Sequence, residues 1–178
     1  MANLIPLTFR IATPDDAPRL QQLVQAAFRA EDSRAGWTAD MQLGRSFHYS
    51  VGEVLRTIND PDAVVIMALD QDGVLVGSVE AVKKRADGLA RFAMLSVDRH
   101  QQRGGVGRRL LARAEAHARQ WGVETFGLNA LSSRASLIEW YGRCGYSKTG
   151  ETSPFPVDRF AQLDLPKDLC FVELEKKA

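Results

Sequence analysis

Apolar positions recur along this chain with two periods, and the changes between them divide it into elements. Leu7 to Ile11 alternates enough to predict a first strand. Thr13-Pro14-Asp15-Asp16 then marks a helix start, with a threonine cap, a proline in the first turn and acids where the helix dipole favours them. Leu20, Leu23, Val24, Ala27 and Phe28 follow at helical spacing and carry that helix to about Ala30. Residues 31 to 50 keep no clean period. Glu31, Asp32, Arg34, Trp37, Arg45, His48 and Tyr49 crowd a glycine-containing stretch of the kind that forms either a binding loop or a solvated connector. A helix over Val51 to Ile58 ends before Asn59-Asp60-Pro61-Asp62.

Two β-rich runs, Ala63 to Leu69 and Val74 to Val82, are joined by Asp70-Gln71-Asp72-Gly73, whose Asp-Gly pair predicts a hairpin. After a charged turn, Lys83 to Gly88, the run Leu89 to Val97 completes an antiparallel meander. The next helix, Val106 to Trp121, carries Val106, Leu110, Ala114, Ala118 and Trp121 as one apolar stripe. Arg108, Arg109, Glu115 and Arg119 fall mostly on its other faces, and Gly122 stands where a C-cap glycine would. Thr125 to Ala130 is again a strand. Strand, helix, strand implies a right-handed crossover and a parallel pair, so the sheet is mixed.

Ser132-Ser133 precede a short helix over Ala135 to Arg143, closed by Gly145. A strand over Tyr146 to Gly150, a rigid Pro154-Phe155-Pro156 loop and a final strand over Cys170 to Leu174 complete the pattern, with 175–178 as solvated tail. The expectation is one α/β domain over residues 1–178, ordered from about 5 to 175: a twisted mixed sheet of six or seven strands flanked by helices.

Between Val97 and the long helix lies a glycine- and arginine-rich turn, Asp98-Arg99-His100-Gln101-Gln102-Arg103-Gly104-Gly105-Val106-Gly107-Arg108-Arg109. Three glycines among four residues remove the Cβ atoms that would hold a ligand off the backbone. The helix start adds unpaired amides and the positive end of a dipole, and the arginines add full charges. A diphosphate suits such a place. A dinucleotide turn would need glycine where Leu110 stands, and a P-loop would need a lysine followed by serine or threonine; neither is present.

Composition narrows the partners. A net charge of +1 gives no global attraction to nucleic acid or an anionic membrane. No apolar run approaches a membrane span, and the N-terminus lacks the pattern of a secretory signal. Two cysteines, Cys144 and Cys170, cannot make a disulfide scaffold and suit a reducing, cytoplasmic setting. His48, His100 and His117 are scattered, with His117 as a solvated helix residue, and no His/Cys/carboxylate group has metal spacing, so no metal is expected.

Gln102-x-x-Gly105-x-Gly107, after a strand ending Met94-Leu95-Ser96-Val97 and before a helix beginning Gly107-Arg108-Arg109-Leu110-Leu111, resembles the Gln/Arg-x-x-Gly-x-Gly/Ala signature of the GNAT superfamily of N-acetyltransferases. Trp140-Tyr141-Gly142-Arg143-Cys144-Gly145-Tyr146 is similar to the Leu-Tyr-x-Lys-x-Gly-Phe segment late in those domains. Thr149-Gly150-Glu151-Thr152-Ser153-Pro154-Phe155-Pro156 matches a Thr-Gly-Glu-x-x-Pro-Phe-Pro continuation of some bacterial and fungal members. Element order resembles the family from first strand to last.

The resemblance implies acetyl transfer from acetyl-coenzyme A (acetyl-CoA) to a primary amine by direct attack in a ternary complex. It implies pantetheine pairing along Leu95-Ser96-Val97 and pyrophosphate contacts from Gln102, Arg103, Gly104, Gly105, Val106, Gly107 and Arg108. Among these, Arg103 and Arg108 are the expected side-chain contacts. Tyr141 takes the position of the acid that reprotonates the departing thiolate. Arg134 stands where many members place an asparagine, and could reach a phosphate instead. The strand before the turn has no carboxylate, so the base is sought at Glu80, at Glu31 or Asp32, or in a water relay.

Trp37, Arg45 and Phe155 are candidate acceptor-site residues; Arg45 would face an acceptor carboxylate, and Phe155 is either a loop anchor or a wall. A small-molecule amine leads, ahead of protein N-termini or lysines, and a non-catalytic acyl-CoA-binding module is the alternative of another class. Family members often form homodimers.

Overall fold

In a computed structural model, residues 6–30 and 41–178 are described. Seven strands form one sheet: β1 (Thr8–Ile11), β2 (Ala63–Leu69), β3 (Leu75–Lys84), β4 (Leu89–Val97), β5 (Thr125–Leu131), β6 (Ser147–Pro154) and β7 (Cys170–Lys177). Their spatial order is β1-β2-β3-β4-β5-β7-β6, antiparallel throughout except for β4 and β5, which run parallel. The helices are α1 (Ala17–Arg29), α2 (Met41–Ser46), α3 (Val51–Asn59), α4 (Val106–Arg119) and α5 (Ala135–Arg143).

Strand alternation gives the sheet two cores. On one face, Val79, Ala81, Ala90, Phe92, Phe126 and Leu128 pack with Val106, Leu110, Leu111 and Ala114 of α4 and with Leu137, Ile138 and Tyr141 of α5. On the other, Val65 and Met67 pack with Leu20 and Val24 of α1, Val54 of α3 and Tyr49. Leu110, Leu111, Phe126, Leu20 and Met67 are almost wholly enclosed. Each contributes about 1.5–3 kcal/mol by leaving water. Gly77 lets α4 lie close on β3, since a Cβ there would fall 2.7 Å from Leu110 Cδ1.

The hairpin forms as its Asp-Gly pair predicts, with Gly73 at φ 77° and the Asp70 carboxylate accepting from the amides of Asp72 and Val74. Ser50 caps α3 in a capping box with Glu53. Asp16, buried at the start of α1, accepts from Arg10, Thr13 and Arg19. The Arg10 guanidinium holds its carboxyl well below the usual range, against the opposing effect of burial.

Five expectations change. The aperiodic stretch contains α2, six residues too short to show a helical period. The supposed tail belongs to β7, which runs to Lys177, because Lys176 turns inward to Glu115. Glu115 is not on an outer face of α4: it is buried, since Leu111 and Glu115 lie beside Leu110 and Ala114 and widen the packed stripe by one residue on two successive turns. Tyr146 donates to its Oε1 at 2.9 Å and Lys176 to both oxygens at 2.9 and 3.0 Å. His117 is half-buried rather than solvated, edge-on to Trp121 at 5.2 Å, and burial lowers its pKa. Finally, β6 extends through Pro154, which the sheet tolerates because β6 is an edge strand.

Candidate functional site

The parallel pair is short. Leu89, Ala90 and Arg91 of β4 pair with Thr125, Phe126 and Gly127 of β5, and beyond them the strands part. From Phe92 to Val97 the β5-facing edge of β4 has no strand partner among the described residues, and an unpaired strand edge accepts an extended ligand carrying amides. A bulge sets the parting. Val79 stands between the Ser78–Ser96 and Glu80–Ala93 pairs, and Met94 and Leu95 stand opposite it. Met94 takes φ 50°, unusual for a side chain without a local hydrogen-bonding group.

The bulge exchanges the faces of β4. Ala90 and Phe92 belong to the α4-side core before it, and Leu95 and Val97 pack on that same core after it. Met94 joins the α1-side core. The Ser96 side chain is buried, its hydroxyl donating to the Met94 carbonyl at 3.1 Å, so only its backbone is available to a ligand.

At the end of β4 the chain turns sharply. Asp98 accepts from the His100 amide, Arg103 takes φ 69° and Gly105 φ 75°. The first bond of the α4 ladder runs from the Arg109 amide to the Gly105 carbonyl, which leaves the amides of Val106, Gly107 and Arg108 ahead of it. The Val106 side chain is core, so its amide alone serves the turn. A Cβ at Gly107 would lie in ordinary contact with Val97 Cγ2 at 3.5 Å and Trp140 Cζ2 at 3.7 Å. Arg103 is exposed, as is Arg108, whose Nη2 donates to the Arg143 carbonyl at 2.6 Å. Gln102 Nε2 points back at the Val97 carbonyl, 3.5 Å away.

Leu95, Val97, the Gln102–Arg108 turn and Tyr141 therefore converge on the α4 side of the parted strands. Tyr141, on α5, is buried between Trp140 and Tyr146, and burial pushes its phenol up to about 12. Arg134 precedes α5, and burial lowers its pKa against the pull of the nearby Tyr141.

Glu80 lies on the opposite face, where the sequence set it by alternation with Val79 and Ala81. Its Cα partners are Val65 on β2 and Ala93 at the bulge, and Ala93 is exposed. Tyr49 donates its phenolic hydrogen to Glu80 Oε1. Burial raises the Glu80 pKa, with Glu53 adding to the rise and the Tyr49 hydrogen bond opposing it. Burial likewise raises Tyr49, and the Glu80 carboxylate adds to that.

Sequence reasoning did not single out Tyr49, one aromatic among many in an aperiodic stretch. It also passed over the group in which Arg91, Asn129 and Ser153 all donate to the Glu173 carboxylate, which joins residues 82 positions apart. Phe155 packs against Phe160 and Phe171 at 5.4 and 5.7 Å between centroids, within the β6–β7 connection. Arg45 is exposed in the last turn of α2. Trp37, Glu31 and Asp32 lie outside the described residues. Among the described residues no group of three His, Cys, Asp or Glu could hold a metal, and no helix is long and apolar enough to cross a membrane.

A parted parallel pair that feeds a phosphate-ready helix start is the framework of an acyltransferase. Residues 18–146 match the model of the Acetyltransferase (GNAT) family, and the chain belongs to that family. Among solved structures it is similar to PaiA N-acetyltransferase from Thermoplasma acidophilum in complex with coenzyme A, at TM-score 0.72 and 16% identity over 98% of this chain and 100% of that one. The ribosomal-protein-alanine N-acetyltransferase from Brucella melitensis gives TM-score 0.69 and 19% identity over 96% and 99%. A spermidine N-acetyltransferase chimera from Vibrio cholerae and hSSAT gives 0.67 and 16% over 96% and 95%. No curated protein matches the sequence significantly.

Proposed function

We propose that this protein transfers the acetyl group of acetyl-CoA to the primary amine of a small molecule, by direct attack within a ternary complex. The observation that carries the reading is the parting of β4 from β5 immediately before the Gly105 turn and the α4 N-terminus.

In this reading Leu95, Ser96 and Val97 pair through their backbones with the pantetheine amides. The amides from Gly104 to Arg108 and the side chains of Gln102, Arg103, Arg108 and Arg134 hold the phosphates. Glu80, on the opposite face beside the bulge, takes a proton from the acceptor ammonium, a task that a raised carboxyl suits. The amine nitrogen then forms its bond to the carbonyl carbon as the carbon–sulfur bond breaks. Tyr141, a neutral phenol at every physiological pH, gives its proton to the sulfur. The proton shed by the new amide nitrogen restores the phenol through solvent, and Glu80 returns its own to water. Phe155 stands as an acceptor-side wall, and Trp37 and Arg45 as acceptor contacts.

The test is a thermal-shift titration with acetyl-CoA alongside a thiol-release assay over a panel of small amines. A ligand of the native state raises the midpoint by mass action. Stabilisation with thiol release supports the reading. Stabilisation without release across the panel favours a non-catalytic acyl-CoA-binding module or a protein acceptor, and absence of stabilisation overturns the reading.

A further inference from the structure

Glu80 is a half-buried carboxyl. Its strand neighbours, Val65 on β2 and Ala93 on β4, bring no charge. From α1, Gln21 donates to the Tyr49 carbonyl, Gln25 accepts from the Tyr49 amide, and Arg29 donates to the carbonyl of the neighbouring Phe47. From α3 comes Glu53, itself beside Arg56 and His48. Among the described residues, only Tyr49 gives Glu80 a hydrogen bond.

The Tyr49 ring is held in turn. It is 5% exposed and stacks on Phe47, which stacks on Phe28 of α1, with centroids 6.3 and 4.5 Å apart. Its backbone is fixed at both N–H and C=O by the two glutamines. A phenol so anchored can hold a carboxylate in one rotamer. Every buried side-chain polar atom among the described residues has a hydrogen-bond partner. Glu80 is half-buried, and among the described residues Tyr49 takes Oε1 and no hydrogen bond is made to Oε2.

We propose that Tyr49 is the positioning residue of the general base: its phenolic O–H fixes one oxygen of Glu80 and leaves the other directed to the acceptor ammonium. This rests on the acetyltransferase reading above and adds to it a residue from the segment before α3. Tyr49 transfers no proton. It stabilises the carboxylate against the desolvation that raises it, so that Glu80 is ionised when the ammonium arrives and its accepting oxygen is already aimed.

The experiment compares wild type with Tyr49→Phe, which keeps the ring in its stack, and with Glu80→Gln. The readouts are the pH profile of kcat/KM for an amine found in the panel, the acetyl-CoA affinity, and the 13C titration of the Glu80 carboxyl in labelled protein. Tyr49→Phe is expected to move the acidic limb and the carboxyl titration together to higher pH, by about one unit. Its kcat/KM is then about tenfold low below the limb and approaches wild type above it, with acetyl-CoA affinity unchanged. Glu80→Gln removes both the limb and the titration.

An unmoved titration in Tyr49→Phe, or a loss equal at every pH, overturns the proposal. A wild type that binds acetyl-CoA but acetylates no amine overturns the proposed function instead. The carboxyl titration still decides whether Tyr49 governs Glu80.

Discussion

Arg91 on β4 reaches across β5 to Glu173 on β7, with Nη1 and Nη2 both 3.0 Å from Oε2. The bridge spans the last rung at which β4 and β5 are still joined, Arg91 against Gly127. Burial raises the Glu173 pKa, but hydrogen bonds from Arg91, Asn129 and Ser153 outweigh it and hold the carboxyl below its usual value. A depressed carboxyl contributes stability above its unfolded pKa, about 4.3, and that contribution is lost as pH falls through the folded value. Arg91→Met is therefore expected to cost about 1–2 kcal/mol at pH 7 and progressively less in acid. Urea unfolding at pH 7 and pH 4 checks both parts; an equal cost at the two values removes the electrostatic account.

The buried group of Glu115, Tyr146 and Lys176 ties α4 to β7. Glu115→Gln leaves Lys176 without its counter-charge and is expected to cost about 3 kcal/mol. Lys176→Met alone should also destabilise, and the double variant should lose less than the sum of the two. A denaturation double-mutant cycle reads the coupling, and simple additivity would show that the pair does not act as one unit.

Gly105 and Gly122 share nearly one backbone conformation, φ 75° and 69°, and nothing stands within 4 Å of a Cβ at Gly122. Substitution by alanine should cost each about 1 kcal/mol. Only Gly105→Ala should also weaken the stabilisation by acetyl-CoA, and Gly105→Glu should abolish it. Equal ligand-dependent midpoint shifts in Gly105→Ala and Gly122→Ala would place the phosphates elsewhere.

Tyr141→Phe removes a hydroxyl and keeps a buried ring. Acid assistance of this kind is worth about 10²-fold or more, so kcat should fall by that factor with acetyl-CoA affinity unchanged. Because burial holds the phenol near 12, the neutral-pH limb of wild type and variant should coincide. Stopped-flow thiol release measures kcat; a rate within threefold of wild type would assign the acid elsewhere.

The strands that sequence reading places correctly are those whose pattern is local. Ala63–Leu69 and Leu89–Val97 are bounded by turn residues, and α5 falls on Ala135–Arg143 as expected. The turn before α4 was legible because its glycines lie within a dozen consecutive residues. Pairings that depend on distant partners were not. Lys176 looks like a solvated end until β7 brings it to Glu115, and Glu173 has no meaning without Arg91. Tyr49 becomes legible only when the sheet carries Glu80 to it, and nothing in an aperiodic stretch marks one aromatic above another.

The position of β7 between β5 and β6 has a bearing on how the molecule comes into being. As the chain leaves the ribosome, β2 to β5 can each dock on a neighbour already made, but β6 cannot reach its place. It must wait for Cys170–Lys177 to emerge and enter between it and β5. Until then β5 presents an open edge, and neither Glu173 nor Lys176 has met its partner. Two of the seven strands are thus added in a single late step, and a nascent chain stalled before residue 170 would leave the edge of β5 uncovered.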